Sequence, residues 1–393
     1  VDPAAATQLF LAEARALGFA RVGFAPAGPV ARHPQYAAWL TRGFAGDMSY
    51  LATHADARRD ARALMPAART VVTVALSYAQ RDVDVPRERL ARGFIARYAR
   101  GDDYHVVLKT KLHALARAVA DKCGRAVACL PAVDTRPLLE REWASAGGIG
   151  FQAKNTMLIA PGLGSYLLLG ELLTDLECAP IASDDATPRC GQCTRCLEAC
   201  PTGAFVAPYT LDSRRCIAYL TIENSGPIPR ELRPLIGDRV FGCDVCQEVC
   251  PFNAASAGER AAGAPELAAR PGYARPSLVQ LLSLGAAQFR KWQRQSALRR
   301  IHRPQLLRNV AVALGNVGTA AELPALMQAL GEPSALVREH VAWAMAQILA
   351  REAAPATGQT ALRQLLAAAV AREDDAAARD ELSAALAVAD RRS

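Results

Sequence analysis

Seven cysteines fall in two runs whose spacing suits metal ligation. Cys190, Cys193, Cys196 and Cys200 lead directly into Pro201, giving C-x2-C-x2-C-x3-C-P. Cys243, Cys246 and Cys250 lead into Pro251 with the shorter C-x2-C-x3-C-P. The first run has the bacterial spacing for a cubane 4Fe-4S cluster, in which three close thiolates wrap one cluster and the fourth serves its neighbour. Cys216, between the runs, supplies the thiolate that the second run lacks. Eight thiolates suffice for two clusters. The crossing rule assigns Cys190, Cys193, Cys196 and Cys250 to one and Cys200, Cys216, Cys243 and Cys246 to the other. Two such clusters make the chain a one-electron conductor. Paired C-x2-C also suits tetrahedral zinc, but zinc fingers lack the doubled C-x3-C-P ending. A disulfide framework fits neither the chain length nor the metal-like spacing.

Clusters only deliver electrons, so another part of the chain must present what accepts them. The most suggestive acid is Asp134, in Leu130-Pro131-Ala132-Val133-Asp134-Thr135-Arg136-Pro137. It falls just past a predicted strand and before a predicted helix, the edge where open sheets bind ligands. A carboxyl there can act as a general acid if burial raises its pKa; the alternative is a helix N-cap or a loop carboxylate. Gly147-Gly148-Ile149-Gly150-Phe151, ahead of Lys154-Asn155, matches neither dinucleotide nor P-loop spacing. Its glycines would still let backbone approach a flat ligand. His33, His54, His105 and His113 show no metal spacing and read as solvated or packed. Cys123, Cys129 and Cys178 read as apolar packing residues.

Alternating elements must position these groups. Residues 7–17 read as a helix with Thr7 as N-cap and Gly18 as its stop. Ala20–Ala25, Val71–Leu76 and Ala126–Leu130 read as strands. His105–Cys123 reads as a helix with Val107, Leu108, Leu112, Leu115 and Val119 inward, and Pro137 opens a helix that continues from Leu138 to Ala146. Two further strands, Asn155–Ala160 and Ser165–Leu169, flank the turn Pro161-Gly162-Leu163-Gly164. The second of these is the most apolar stretch of the chain, with Gly170-Glu171 as its end. The expected fold class is α+β and multidomain: an α/β domain over 1–180, a ferredoxin-like two-cluster module over 181–255, a connector over 256–276 and a helical domain over 277–393. Two stretches of that last domain, 308–315 and 339–346, match at an offset of 31 residues, pairing Val310 with Val341, Ala313 with Ala344 and Leu314 with Met345. Such a repeat suggests HEAT-like helix pairs docked on the core; a plain helical bundle is the alternative.

The chain has 393 residues, 51% hydrophobic and 21% charged, ordinary for a globular protein. No apolar run reaches the roughly 18 residues of a membrane span, and no secretory leader is visible. Free thiolates and iron–sulfur clusters fit a reducing cytoplasm. The net charge of +8 and pI of about 9.0 favour an acidic partner such as nucleic acid, although an Arg-rich coding bias would leave the same mark.

Several longer stretches then carry a resemblance. Arg97-Tyr98-Ala99-Arg100-Gly101-Asp102-Asp103-Tyr104-His105, Val133-Asp134-Thr135-Arg136-Pro137, Lys154-Asn155, Gly170-Glu171-Leu172-Leu173-Thr174-Asp175, Cys216 to Glu223 and Gly242 to Gln247 together resemble the epoxyqueuosine reductases over nearly the whole chain. Gly150-Phe151-Gln152-Ala153-Lys154 and Tyr166 depart slightly from the usual pattern. The resemblance implies a cobalamin-dependent enzyme that reduces the epoxide of epoxyqueuosine at the tRNA wobble position to the alkene of queuosine, with Asp134 as proton donor. It implies two 4Fe-4S clusters fed by an external flavodoxin- or ferredoxin-type donor. By position it names Arg58, Arg97, Tyr98, Arg141, Lys154, Asn155, Ser165 and Tyr219 as corrin contacts, with no protein His below the cobalt. Transfer RNA is expected at the helical repeats, where Arg299, Arg300, Arg303 and Arg308 cluster, and a monomer away from membranes is expected. The rivals are a corrinoid reductive dehalogenase acting on a small molecule and an iron–sulfur electron-transfer scaffold.

Overall fold

A computed structural model describes residues 1–80, 91–181, 190–253, 263–352 and 359–391. Two compact units emerge, each gathered from segments distant in sequence. The first takes Val1–Arg81, Arg97–Arg214 and Asp244–Ala269; the second takes Asp82–Ala96, Arg215–Cys243 and Arg270–Ser393.

The first unit is built on four strands: β1 (Arg21–Pro26), β2 (Thr70–Ser77), β3 (Cys129–Ala132) and β4 (Leu167–Thr174). Their order is β1-β2-β4-β3 and each neighbouring pair is antiparallel. The build is therefore mixed α+β rather than the α/β layout expected for this region, because alternation of helix and strand in sequence does not fix strand direction. β2 is buried along its whole length, as its largely apolar run predicts. Side chains alternate between faces. On one face, Phe24, Val72, Val74 and Leu172 meet Phe10 and Ala14 of the helix Pro3–Ala16. They also meet Leu108, Leu112, Leu115 and Val119 of the helix Tyr104–Cys123. On the other face, Ala25, Val71, Ala132 and Leu173 meet Leu138 and Trp143, the latter on the helix Glu140–Ala146.

Three local expectations are corrected. The first helix is capped by Asp2, whose carboxylate accepts from Ala5 N at 2.9 Å, while Thr7 is buried one turn inside. The two strands expected around Pro161–Gly164 have other bounds: the first is Leu158–Ile159, paired with Phe151–Gln152, and the second is Leu167–Thr174, in the main sheet. Gly170-Glu171 does not end the apolar strand, which runs on through Glu171 to Thr174. The connector expected over 256–276 lies partly outside the described residues.

The second unit is mainly helical. The two stretches that repeat in sequence fall on the helices Arg303–Val317 and Ala335–Arg351, which pack together. Val310, Ala313, Leu314, Val341, Ala344 and Met345 are all fully buried there. Gly315 is required at the crossing, since a Cβ would collide with the Trp343 ring. Arg308, expected as a phosphate contact, is completely buried and donates to the carbonyls of Leu220 and Asn224 at 2.7 and 2.8 Å. It braces a loop rather than facing a ligand. Among the described residues no helix is long and apolar enough to cross a membrane.

Candidate active site

Asp134 stands on the loop between β3 and the helix Glu140–Ala146. The residue at that helix's N-cap is Leu139, without a side-chain cap, so Asp134 is not an N-cap. Its Oδ2 accepts from the Tyr104 hydroxyl, and its Oδ1 lies 2.9 Å from His105 Nε2. The His105 Nδ1 lies 2.7 Å from Asp103 Oδ1. Burial disfavours a charged imidazole, but the carboxylates of Asp103 and Asp134 outweigh it and raise the His105 pKa to about 9. Both ring nitrogens therefore donate at neutral pH. Burial, then the charge of Asp134, pushes the Tyr104 hydroxyl well above its usual range, so it remains a donor. Asp134 thus receives two charge-assisted or phenolic hydrogen bonds while 39% of its side chain stays exposed. His105, Lys109, Thr110, His113, Val133 and Thr135 line a concavity of about 460 Å³ beside it. The sequence had marked His105 only as a packed or solvated histidine. Its adjacency to Asp103 and Tyr104 was the available signal.

The cysteine runs are fixed by residues that the resemblance placed around a corrin. Lys154 Nζ donates to the carbonyls of Gly191 and Cys193 at 2.6 and 3.1 Å. Asn155 Nδ2 donates to the Cys246 carbonyl at 3.1 Å. Ser165 donates to Gln247 at 2.9 Å and accepts from Asn253 Nδ2 at 2.8 Å. Arg97 binds Asp244 through its backbone N at 2.8 Å and Glu248 through its guanidinium at 2.8 Å. The short helices Arg195–Glu198 and Val245–Glu248, one per run, pack together. Burial, then the nearby Cys190, Cys250 and Cys193, pushes the Cys196 thiol up. Those four sulfurs therefore share one neighbourhood, a donor set suited to a cationic cluster. Phe151, Ala153 and Ile159 give it an apolar wall. Cys200 and Cys246 belong to the first unit, and Cys216 and Cys243 to the second. Among the described residues, no three His, Cys, Asp or Glu side chains close around a single metal ion.

The remaining expected contacts are dispersed. Arg58 is buried, donates to the Tyr50 carbonyl at 3.2 Å and leaves its Nε without a partner. Tyr98 packs edge-on to Tyr104 at 5.8 Å between ring centres. Arg141 is exposed and reaches the Thr156 carbonyl at 2.8 Å. Tyr219 lies in the second unit, in the helix Ile217–Ile222.

Residues 189–253 match a 4Fe-4S double cluster binding domain, so the chain is an iron–sulfur protein with an acid presented on its α+β domain. Residues 58–135 match the family described as epoxyqueuosine reductase QueG, DUF1730. The epoxyqueuosine reductase of Alicycliphilus denitrificans is 40% identical over 350 residues, covering 85% of this chain and 96% of its own. That of Burkholderia pseudomallei is 41% identical over 369 residues, covering 84% and 89%. This chain belongs to the epoxyqueuosine reductase family, a family of oxidoreductases. A crystal structure of an epoxyqueuosine reductase with an epoxyqueuosine-modified tRNA-Tyr stem loop aligns at TM-score 0.86 and 32% identity over 98% of each chain. A Bacillus subtilis epoxyqueuosine reductase, with its catalytic loop swung out of the active site, aligns at TM-score 0.85 and 31% identity over 97% of this chain and 98% of its own.

Proposed function

We propose that this protein reduces the epoxide of epoxyqueuosine at the tRNA wobble position to the alkene of queuosine, the oxygen leaving as water. The observation that carries this reading is Asp134, a partly exposed carboxyl on a strand-end loop, held between Tyr104 and His105. The relative solved with a modified tRNA stem loop supports the choice of substrate. The relative with a displaced catalytic loop supports the placing of the acid on a movable segment.

The His105 imidazolium passes its Nε2 proton to the Asp134 carboxylate, which gives it to the epoxide oxygen as the carbon–oxygen bond breaks, and Tyr104 holds the carboxyl for that transfer. The unpartnered Arg58 Nε suits a carbonyl of a corrin's amide side chains, and Arg58, Arg97, Tyr98, Arg141, Lys154, Asn155, Ser165 and Tyr219 would hold cobalamin. When bound, it supplies a strongly nucleophilic reduced cobalt for the epoxide carbon. Cys190, Cys193, Cys196 and Cys250 hold one 4Fe-4S cluster, and Cys200, Cys216, Cys243 and Cys246 the other. Electrons enter singly from a flavodoxin- or ferredoxin-type donor. The concavity beside Asp134 offers Lys109 and His113 to RNA phosphates. The helices beyond residue 277 act as HEAT-like pairs, and nearby Arg290, Lys291, Arg294 and Arg299 are exposed for the same partner.

The test is to incubate anaerobic, cobalamin-loaded protein with a chemical reductant and tRNA bearing epoxyqueuosine, then digest the RNA and weigh its nucleosides. Loss of one oxygen is expected; no loss, with cobalamin and both clusters verified, overturns the reading. Asp134→Asn should keep cobalamin and both clusters and lose about 10²–10⁴-fold in turnover. Full activity in that variant would remove Asp134 as proton donor. Cys250→Ser should alter one of two cluster signals in EPR, and two unaltered signals would refute the crossed ligand sets.

A further inference from the structure

Two acids behind Asp134 have no task in the steps above. Glu171 lies in β4, with Thr73 of β2 and Ala132 of β3 as its register partners on either side. Directly opposed residues share a face, so all three point to the side covered by the helix Glu140–Ala146. Glu171 is fully buried, and neither of its carboxyl oxygens has a hydrogen-bond partner; the Thr73 hydroxyl has none either. Glu140, the first residue of the covering helix, also has a buried Oε1 without a partner. β3 delivers Asp134 two residues beyond Ala132. Gly23, opposite Thr73, lets this cover close: a Cβ there would stand 2.5 Å from the Gly147 carbonyl at the helix end.

An ionised carboxylate so placed would carry a large desolvation penalty, and a neutral acid a smaller one. Burial, then Glu140 and Asp134, holds Glu171 well above the usual carboxylate range. Burial and Asp134 push Glu140 up to about 8, against the opposing charges of Arg141 and His105. The charges of Asp134 and Glu140 also act on Tyr104, which has Tyr98 beside it. Turning an epoxide into an alkene and water takes two electrons, here from the external one-electron donor, and two protons, both of which leave on the oxygen. Asp134 carries one proton at a time.

We propose that Glu171 and Glu140 form a proton store beneath Asp134 that reloads its carboxyl for the second proton transfer. An O–H bond of the pair breaks as one forms on Asp134. The pair keeps a single negative charge and is refilled from solvent through the half-buried Glu140 after water departs. The inference rests on the functional reading above.

The test uses Glu171→Gln and Glu140→Gln in cobalamin-loaded, cluster-replete protein. Infrared spectra of the wild type at neutral pH should show a protonated carboxyl stretch that Glu171→Gln removes. Turnover of either variant should fall about tenfold at pH 8 and less than twofold at pH 6, where solvent protons are plentiful, with KM for tRNA unchanged. A pH profile superimposable on the wild type, or absence of the protonated band, overturns the store. A uniform loss of turnover at every pH, or weakened cobalamin binding, also overturns it by making the pair structural or a corrin contact. Failure of the functional reading is distinct, because wild-type protein would then remove no oxygen at any pH.

Discussion

The two units treat buried glutamates in opposite ways. In the helical unit, Glu339 and Glu381 are 8% and 6% exposed, and a single guanidinium, Arg233, pairs with both. Arg233 is itself buried; its Nε donates to the Ile228 carbonyl at 2.9 Å, and it lies over the Trp343 ring. In the sheet unit, Glu171 is more deeply hidden and has no such partner. The first arrangement ties its acids to a buried cation of the scaffold. The second keeps an acid neutral and available beside a reactive carboxyl. Pairing, rather than burial, separates structural acids from those poised for chemistry.

The largest effect that can break this comparison is loss of the shared cation. Arg233→Met removes the cation that Glu339 and Glu381 share, leaving Glu381 only Arg230 at 3.4 Å, and should destabilise the helical unit by about 3–5 kcal/mol. Urea denaturation followed by Trp343 fluorescence reads this, and an unchanged midpoint would mean that the pairing is not holding the acids. A smaller effect of opposite sign is expected in the sheet unit. Glu171→Leu removes an unsatisfied buried group and should stabilise the fold by about 1–3 kcal/mol while slowing turnover. A lower melting temperature would show that Glu171 has a structural partner after all.

The smallest effect concerns two histidines. His105 is raised to about 9 from an ordinary 6.5. The stability it contributes is fully present below about 6.5 and fades as pH rises through about 9. His340 in the helical unit is fully buried and accepts from Ile228 N at 3.1 Å. Burial, then the charge of Arg233, holds its pKa well below 6.5. Its contribution is present above 6.5 and lost as pH falls, because the unfolded chain then takes up a proton that the folded chain refuses. NMR titration of both rings should show shifts of opposite sign. Asp134→Asn should move His105 downward and leave His340 in place.

The cysteine runs were legible in sequence because a cubane imposes short, local spacings that packing cannot disguise. Asp134 was only partly legible: the order of strand, short loop and helix placed it at a sheet edge but equally suited an N-cap or loop carboxylate, and its expected role came from the resemblance. Glu171 was not, because a charged residue inside an apolar run resembles the end of a strand. Only the register with Thr73 and Ala132 reveals that the strand carries on and hides the charge. Arg308 misled in the reverse direction. A cluster of arginines suggests a phosphate surface, yet the helical period turns Arg308 inward among Leu306, Leu307 and Val310. Strand order was also out of reach, since β3 and β4 become neighbours through contacts far apart in sequence.

The interleaving of the two units bears on how the chain is made. Cys250 stands with Cys190, Cys193 and Cys196, yet it leaves the ribosome 250 − 196 = 54 residues after the last of them. At about 5–20 residues per second, three thiols wait roughly 3–11 s for the fourth. With the proposed ligand set, the chain holds an incomplete iron site during that interval, and the Asp244–Ala269 segment of the sheet unit is still to be made. Oxygen exposure during synthesis is therefore its most vulnerable moment, and cluster delivery after release of the full chain is the safer order of assembly.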